Sequence, residues 1–132
     1  MAQLKRFGFA VQALLILAEK STLRSSIEIA EEISCEPTAL RKIMSQLAEA
    51  GFVRVKQGRT GGYMLAVLPE EITLFQVYAS VYEEEPAWDR MLDTTGNHPF
   101  GIRVNESFRG IMEEIRTQVE RVLGDYTLAD LL

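Results

Sequence analysis

A single cysteine, Cys35, is the chain's whole supply of thiol. One thiol cannot close an internal disulfide, and without a CxxC pair there is no sulfur framework for a structural metal. A reducing interior fits that usage. One histidine, His98, leaves no Ser/His/Asp set to assemble, and no paired-carboxylate setting or phosphate-binding signature appears. Enzymatic chemistry is not expected, and no cofactor is implied. Long apolar runs are also missing. The most apolar stretch, residues 7–18, is interrupted by Gln12 and followed at once by Glu19 and Lys20. It is too short for a bilayer and reads as a core helix. Preceded by Lys5 and Arg6, it loosely imitates a secretory leader but lacks a small-x-small cleavage site, so a cytoplasmic protein is the expectation. No Pro, Gly or Ser tract offers a linker, and 132 residues are expected to fold throughout as one unit.

A net charge of −5 at first argues against nucleic acid as a partner. Its distribution reverses that argument. Residues 1–67 carry nine Lys or Arg against six Asp or Glu, whereas residues 68–132 carry five against thirteen. Phosphate binding depends on local positive charge, so an acidic second half is compatible with a basic reading head in the first.

Apolar residues at Phe7, Ala10, Val11, Leu14, Leu15 and Ala18 recur at helical spacing and predict a buried first helix over residues 7–19. Ser25 with Glu28 three places on is a capping box, and Ile29, Ala30 and Ile33 supply the stripe of a short second helix. Residues 34–36 break it. Pro37 suits the first position of a third helix, and Gly51 the stop after Ala50, which predicts a helix over 37–50. Two helices joined by so short a turn match a helix-turn-helix. Leu40, Ile43, Met44 and Leu47 share the inward face of the third helix, leaving Thr38, Arg41, Lys42, Ser45, Gln46 and Glu49 outside. A polar outer face is by itself what any amphipathic helix shows. The following residues narrow the reading: alternating strands at 52–56 and 63–67 flank QGRTGG, a hairpin whose tip carries one charge, Arg59, among glycines. Helix, turn, helix and basic glycine-rich wing form a combination more specific than either part.

A fourth helix is expected over 73–82, with Thr73 as its cap. Residues 86–101 lack periodicity and read as a loop. Beyond it, Val104, Phe108, Ile111, Ile115, Val119, Val122 and Tyr126 form a near-heptad seam widened by Met112 and Leu123. Such a seam must be buried, against a second copy of itself, the first helix of the same chain, or both. The expected fold is mainly α with a small β-hairpin wing: a winged helix-turn-helix over 1–85, the loop 86–101, and a dimerisation helix and tail over 102–132.

IAEEIS, PTALRKIMSQLAEAGFV, GRTGGYMLA, LPEEITLFQVY and TLADLL together resemble the Rrf2 family of winged-helix transcription regulators over nearly the whole chain. The resemblance implies that the outer face of the third helix enters the major groove of double-stranded DNA and that Arg59 reaches toward the minor groove or its phosphates. Thr38, Arg41, Lys42, Ser45 and Gln46 are then the candidate helix contacts, and Lys56, Arg59 and Thr60 the candidate wing contacts. With the seam pairing two copies, the expectation is a homodimeric repressor on a palindromic operator, regulated through an unidentified small-molecule effector between the wing domain and the long helix, thiol chemistry at Cys35, or changes in protein abundance. Family members that hold an iron–sulfur cluster carry three cysteines in the loop before the long helix; here residues 86–101 have none, and no cluster is expected. Glu36 stands where an Asn cap is usual, which predicts a less firmly fixed turn. Cys35 beside a helix N-terminus reads either as a thiol switch or as a small core residue. His98 reads as a metal ligand or pH sensor, or as an ordinary loop residue. From another functional class, the rival is a winged-helix interaction module that has lost DNA binding and engages a protein through its acidic half.

Overall fold

The computed structural model describes residues 3–20, 22–83 and 87–132, and the side chains of residues 87–89 lie outside the description. Five α-helices and one two-stranded hairpin are formed by these residues: α1 (Gln3–Glu19), α2 (Ser26–Ile33), α3 (Pro37–Glu49), β1 (Val53–Lys56), β2 (Gly62–Leu65), α4 (Leu74–Ser80) and α5 (Pro99–Gly124). Of the expected break after α4, residues 84–86 lie outside the description. No helix among the described residues is long and apolar enough to cross a membrane.

α1 is the element around which the others pack, touching α2, α3, α4, β2 and the final turn of the chain. It begins earlier than its apolar periodicity suggests, because Gln3 and Arg6 continue the stripe that Ala10, Ala13, Leu14 and Leu17 bury. Ser25 and Glu28 close a reciprocal capping box at the start of α2, satisfying two backbone N–H groups that the helix itself cannot. Ser34 ends α2 in the left-handed conformation, with φ of 56°, so the chain reverses within three residues. Gly51, with φ of 88°, ends α3 on a backbone geometry that side-chain-bearing residues rarely adopt.

The hairpin pairs Val53 with Leu65 and Lys56 with Gly62 in an antiparallel register. Val53 and Val55 share a face as the alternation requires, yet only Val53 is buried; Val55 lies where the hairpin has left the body. Beneath it, Arg24 and Tyr63 exchange backbone hydrogen bonds of 3.1 and 2.8 Å. The α1–α2 connection thus serves as a third, one-residue rung that ties the wing to the helices, a role its sequence did not signal.

α4 is capped by Thr73 and Gln76 in a second capping box. Phe7 meets Tyr78 edge-on at 5.5 Å, joining α1 to α4. The tail is not an appendage of the long helix. Leu74 N–H donates to Tyr126 O and Leu128 N–H to Ile72 O, and Leu128 is fully buried with Ile72 in the N-terminal core.

Much of the expected loop 86–101 is helical. Residues 87–94 form 3-10 turns, and α5 starts at Pro99 with His98 as its cap. His98 Nδ1 accepts from Gly101 N–H at 2.9 Å, and the Thr95 hydroxyl accepts from Asn105 Nδ2 at 3.0 Å. A cap made by an imidazole nitrogen and short 3-10 turns leave no apolar periodicity to read.

Candidate nucleic-acid interface

Hydrophobic burial decides which side of α3 is free. Leu40, Ile43, Met44 and Leu47 have no exposed surface, so the opposite side must face outward. Thr38, Arg41, Lys42 and Ser45 are exposed there, and Arg41 donates to the Thr38 hydroxyl at 3.2 Å. α3 leads directly into the hairpin, whose Arg54, Lys56, Arg59 and Thr60 are exposed. Gly61 lets the tip fold back: a Cβ there would lie 2.0 Å from Lys56 O.

The start of α3 is firmly held, contrary to what Glu36 suggested. Its two carboxylate oxygens accept from Thr38 N–H at 3.0 Å and Ala39 N–H at 2.8 Å. Backbone donation from Thr38 and then Ala39 keeps this carboxyl below the usual glutamate range. A longer side chain reaches the same orphan donors that an Asn cap would, with charge that suits a helix N-terminus.

Gln46 does not stand free for base reading. It is half-buried, its Oε1 accepts from Arg6, and its Nε2 donates to Glu83 at 2.9 Å. Lys42 Nζ lies 3.2 Å from the same Glu83 Oε1, and Arg6 lies 3.4 Å from it. Arg6 is a buried cation that also donates to Val81 O. Hydrogen bonding from Lys42 first, then the charges of Arg6 and Lys42, hold the Glu83 carboxyl below its usual range. Sequence reading missed Arg6 and Glu83. Arg6 had a signal, since it falls on the buried stripe four residues before Ala10; Glu83 had none, being the first of three adjacent glutamates.

Cys35 is buried in the core, packed between α2 and α3. Burial first, and the neighbouring Glu36 carboxylate second, push its thiol upward, against the thiolate character a redox switch requires. His98 commits one ring nitrogen to capping α5.

The chain matches the Rrf2 family, described as "Iron-dependent Transcriptional regulator", over residues 4–132. It is 30% identical over 129 residues to the HTH-type transcriptional regulator NsrR of Halalkalibacterium halodurans, covering 94% of this chain and 85% of that protein. Two solved structures share its fold. T. potens IscR has a TM-score of 0.70 at 23% identity, over 96% of this chain and 82% of that one. The oxidized form of Staphylococcus aureus CymR has a TM-score of 0.69 at 24% identity, over 97% and 93%.

The family's iron dependence does not fit the donors present. The only thiol is buried in the helix-turn-helix, and no group of three or more His, Cys, Asp or Glu side chains converges among the described residues. A thiolate-held iron group would find one thiol per chain, and that thiol is buried. The outward α3 face, the basic wing and the match across 4–132 converge: this chain belongs to the Rrf2 family and is a DNA-binding transcriptional regulator.

Proposed function

We propose that the protein is a cytoplasmic repressor that binds a palindromic operator as a homodimer. Two copies of α3 would enter successive major grooves about one helical turn apart. The observation that carries this reading is the α3 face itself, with Thr38, Arg41, Lys42 and Ser45 outward on a helix whose start is capped by Glu36. Arg41 and Ser45 are the base-reading candidates, Lys42 a phosphate contact, and Gln46 a reader only after it leaves Arg6 and Glu83. Lys56, Arg59 and Thr60 serve the wing contact. Dimerisation buries the stripe of Phe100, Val104, Ile111 and Val122, each 42% exposed or more in the single chain. An effector is a small molecule rather than a thiolate-held cluster, because the sulfur donors for the latter are missing.

Duplex binding as a function of salt tests the reading. Arg59→Ala should weaken specific and mixed-sequence duplexes alike and flatten the log–log salt slope by about one unit. An unchanged slope takes the wing off the DNA. Absence of duplex binding even at low salt would favour the rival, a winged-helix protein-interaction module.

A further inference from the structure

One carboxylate oxygen receives two side chains of the reading helix. Glu83 Oε1 lies 3.2 Å from Lys42 Nζ and 2.9 Å from Gln46 Nε2. Lys42 is otherwise well placed for a phosphate, with 61% of its side chain exposed. Glu83 is itself held in place: its backbone N–H donates to Gln3 Oε1 at 3.1 Å, and two residues earlier Val81 O accepts from Arg6. The first turn of α1 and the end of α4 therefore aim a negative charge at the face that DNA must approach.

We propose that Glu83 is an intramolecular competitor of DNA, a latch that occupies Lys42 and Gln46 of α3 and raises the specificity of binding. This rests on the reading of α3 as the DNA-contacting helix. A phosphate that approaches Lys42 meets the Glu83 charge, so sequence-independent attraction is reduced. Gln46 offers both halves of its amide to a base only by giving up Arg6 and Glu83, a cost that a duplex presenting the matching base edge repays and a random one does not. Arg6 keeps Val81 O and Gln46 Oε1 as acceptors when the Glu83 charge is removed, so the latch is separable from the buried cation beneath it.

The test titrates a mixed-sequence duplex with the full-length chain and its variants. Glu83→Gln, which keeps the shape and an acceptor for Arg6, should tighten binding about two- to fivefold at low salt and steepen the salt slope by up to about one unit. Glu83→Asp, withdrawn by one methylene, should fall between it and the parent, and serves if the first variant melts early. Glu71→Gln, an equal change of charge on an exposed residue, should tighten binding less. In a Lys42→Ala background the Glu83→Gln gain should largely vanish. Equal gains from Glu71→Gln and Glu83→Gln, or no gain from Glu83→Gln with its fold intact, overturn the latch. Lys42→Ala keeps the two readings apart: if it weakens binding while Glu83→Gln does not strengthen it, the latch alone fails. If Lys42→Ala has no effect, the assignment of α3 as the contacting face fails with it.

Discussion

α3 and α5 are both amphipathic, and the chain treats them differently. α3, with 13 residues, buries Leu40, Ile43, Met44 and Leu47 completely. α5 is twice as long, yet only Gly101 and Met112 are buried. Its inner edge leans on α4. Its outer stripe of Phe100, Val104, Ile111 and Val122 remains in water. An apolar face completed within the chain leaves the opposite side of α3 free, whereas the open face of α5 is the one for which we propose a second copy as cover.

The largest effect that would sharpen this contrast is on stability. Leu47→Ala removes a fully buried side chain from a packed core and should cost about 2–5 kcal/mol. Ile111→Ala on the open stripe should cost far less in the isolated chain. Denaturant midpoints measure both at a dilution where light scattering shows single chains, and equal losses there would break the comparison.

Assembly comes next. Ile111→Asp should leave the body folded and convert a dimer, at twice the 14.9 kDa chain mass, into a monomer by setting a charge in the apolar seam. Light scattering with circular dichroism reads both quantities. A parent protein that is already monomeric at micromolar concentration refutes the role given to α5.

The smallest effect concerns the free side of α3. Because folding holds the Glu36 carboxyl below its ordinary range, the cap stabilises α3 fully above the unfolded glutamate pKa of about 4.3. That contribution is lost as pH falls through the lowered folded value. Melting temperatures of the parent and Glu36→Gln should differ near neutrality and converge on acidification. A gap that stays constant would mean that the charge of Glu36 does not hold the turn.

Local chemistry made much of the fold legible. The capping box at Ser25/Glu28 joins residues three apart, Thr73 reads as a cap, and Pro37 and Gly51 bound α3 by their own backbone preferences. The outward residues of α3 follow from 3.6-residue periodicity once Leu40, Ile43 and Leu47 point inward. Irregular capping hid the true start of α5: His98 and the 3-10 turns before it depend on contacts with Thr95, Gly101 and Asn105 rather than on a periodic pattern.

By itself, then, the sequence determined the order of helices, the basic wing, the lopsided charge and the single thiol, because each depends on neighbours in the chain or on composition. Only tertiary structure decided that Arg24 closes the wing through Tyr63, that Leu128 returns to the core, and that Cys35 is buried. It also decided that Gln46 is engaged. Arg6, Lys42, Gln46 and Glu83 meet across up to 77 positions of chain, and an electrostatic contact between residues so far apart has no period or spacing to announce it.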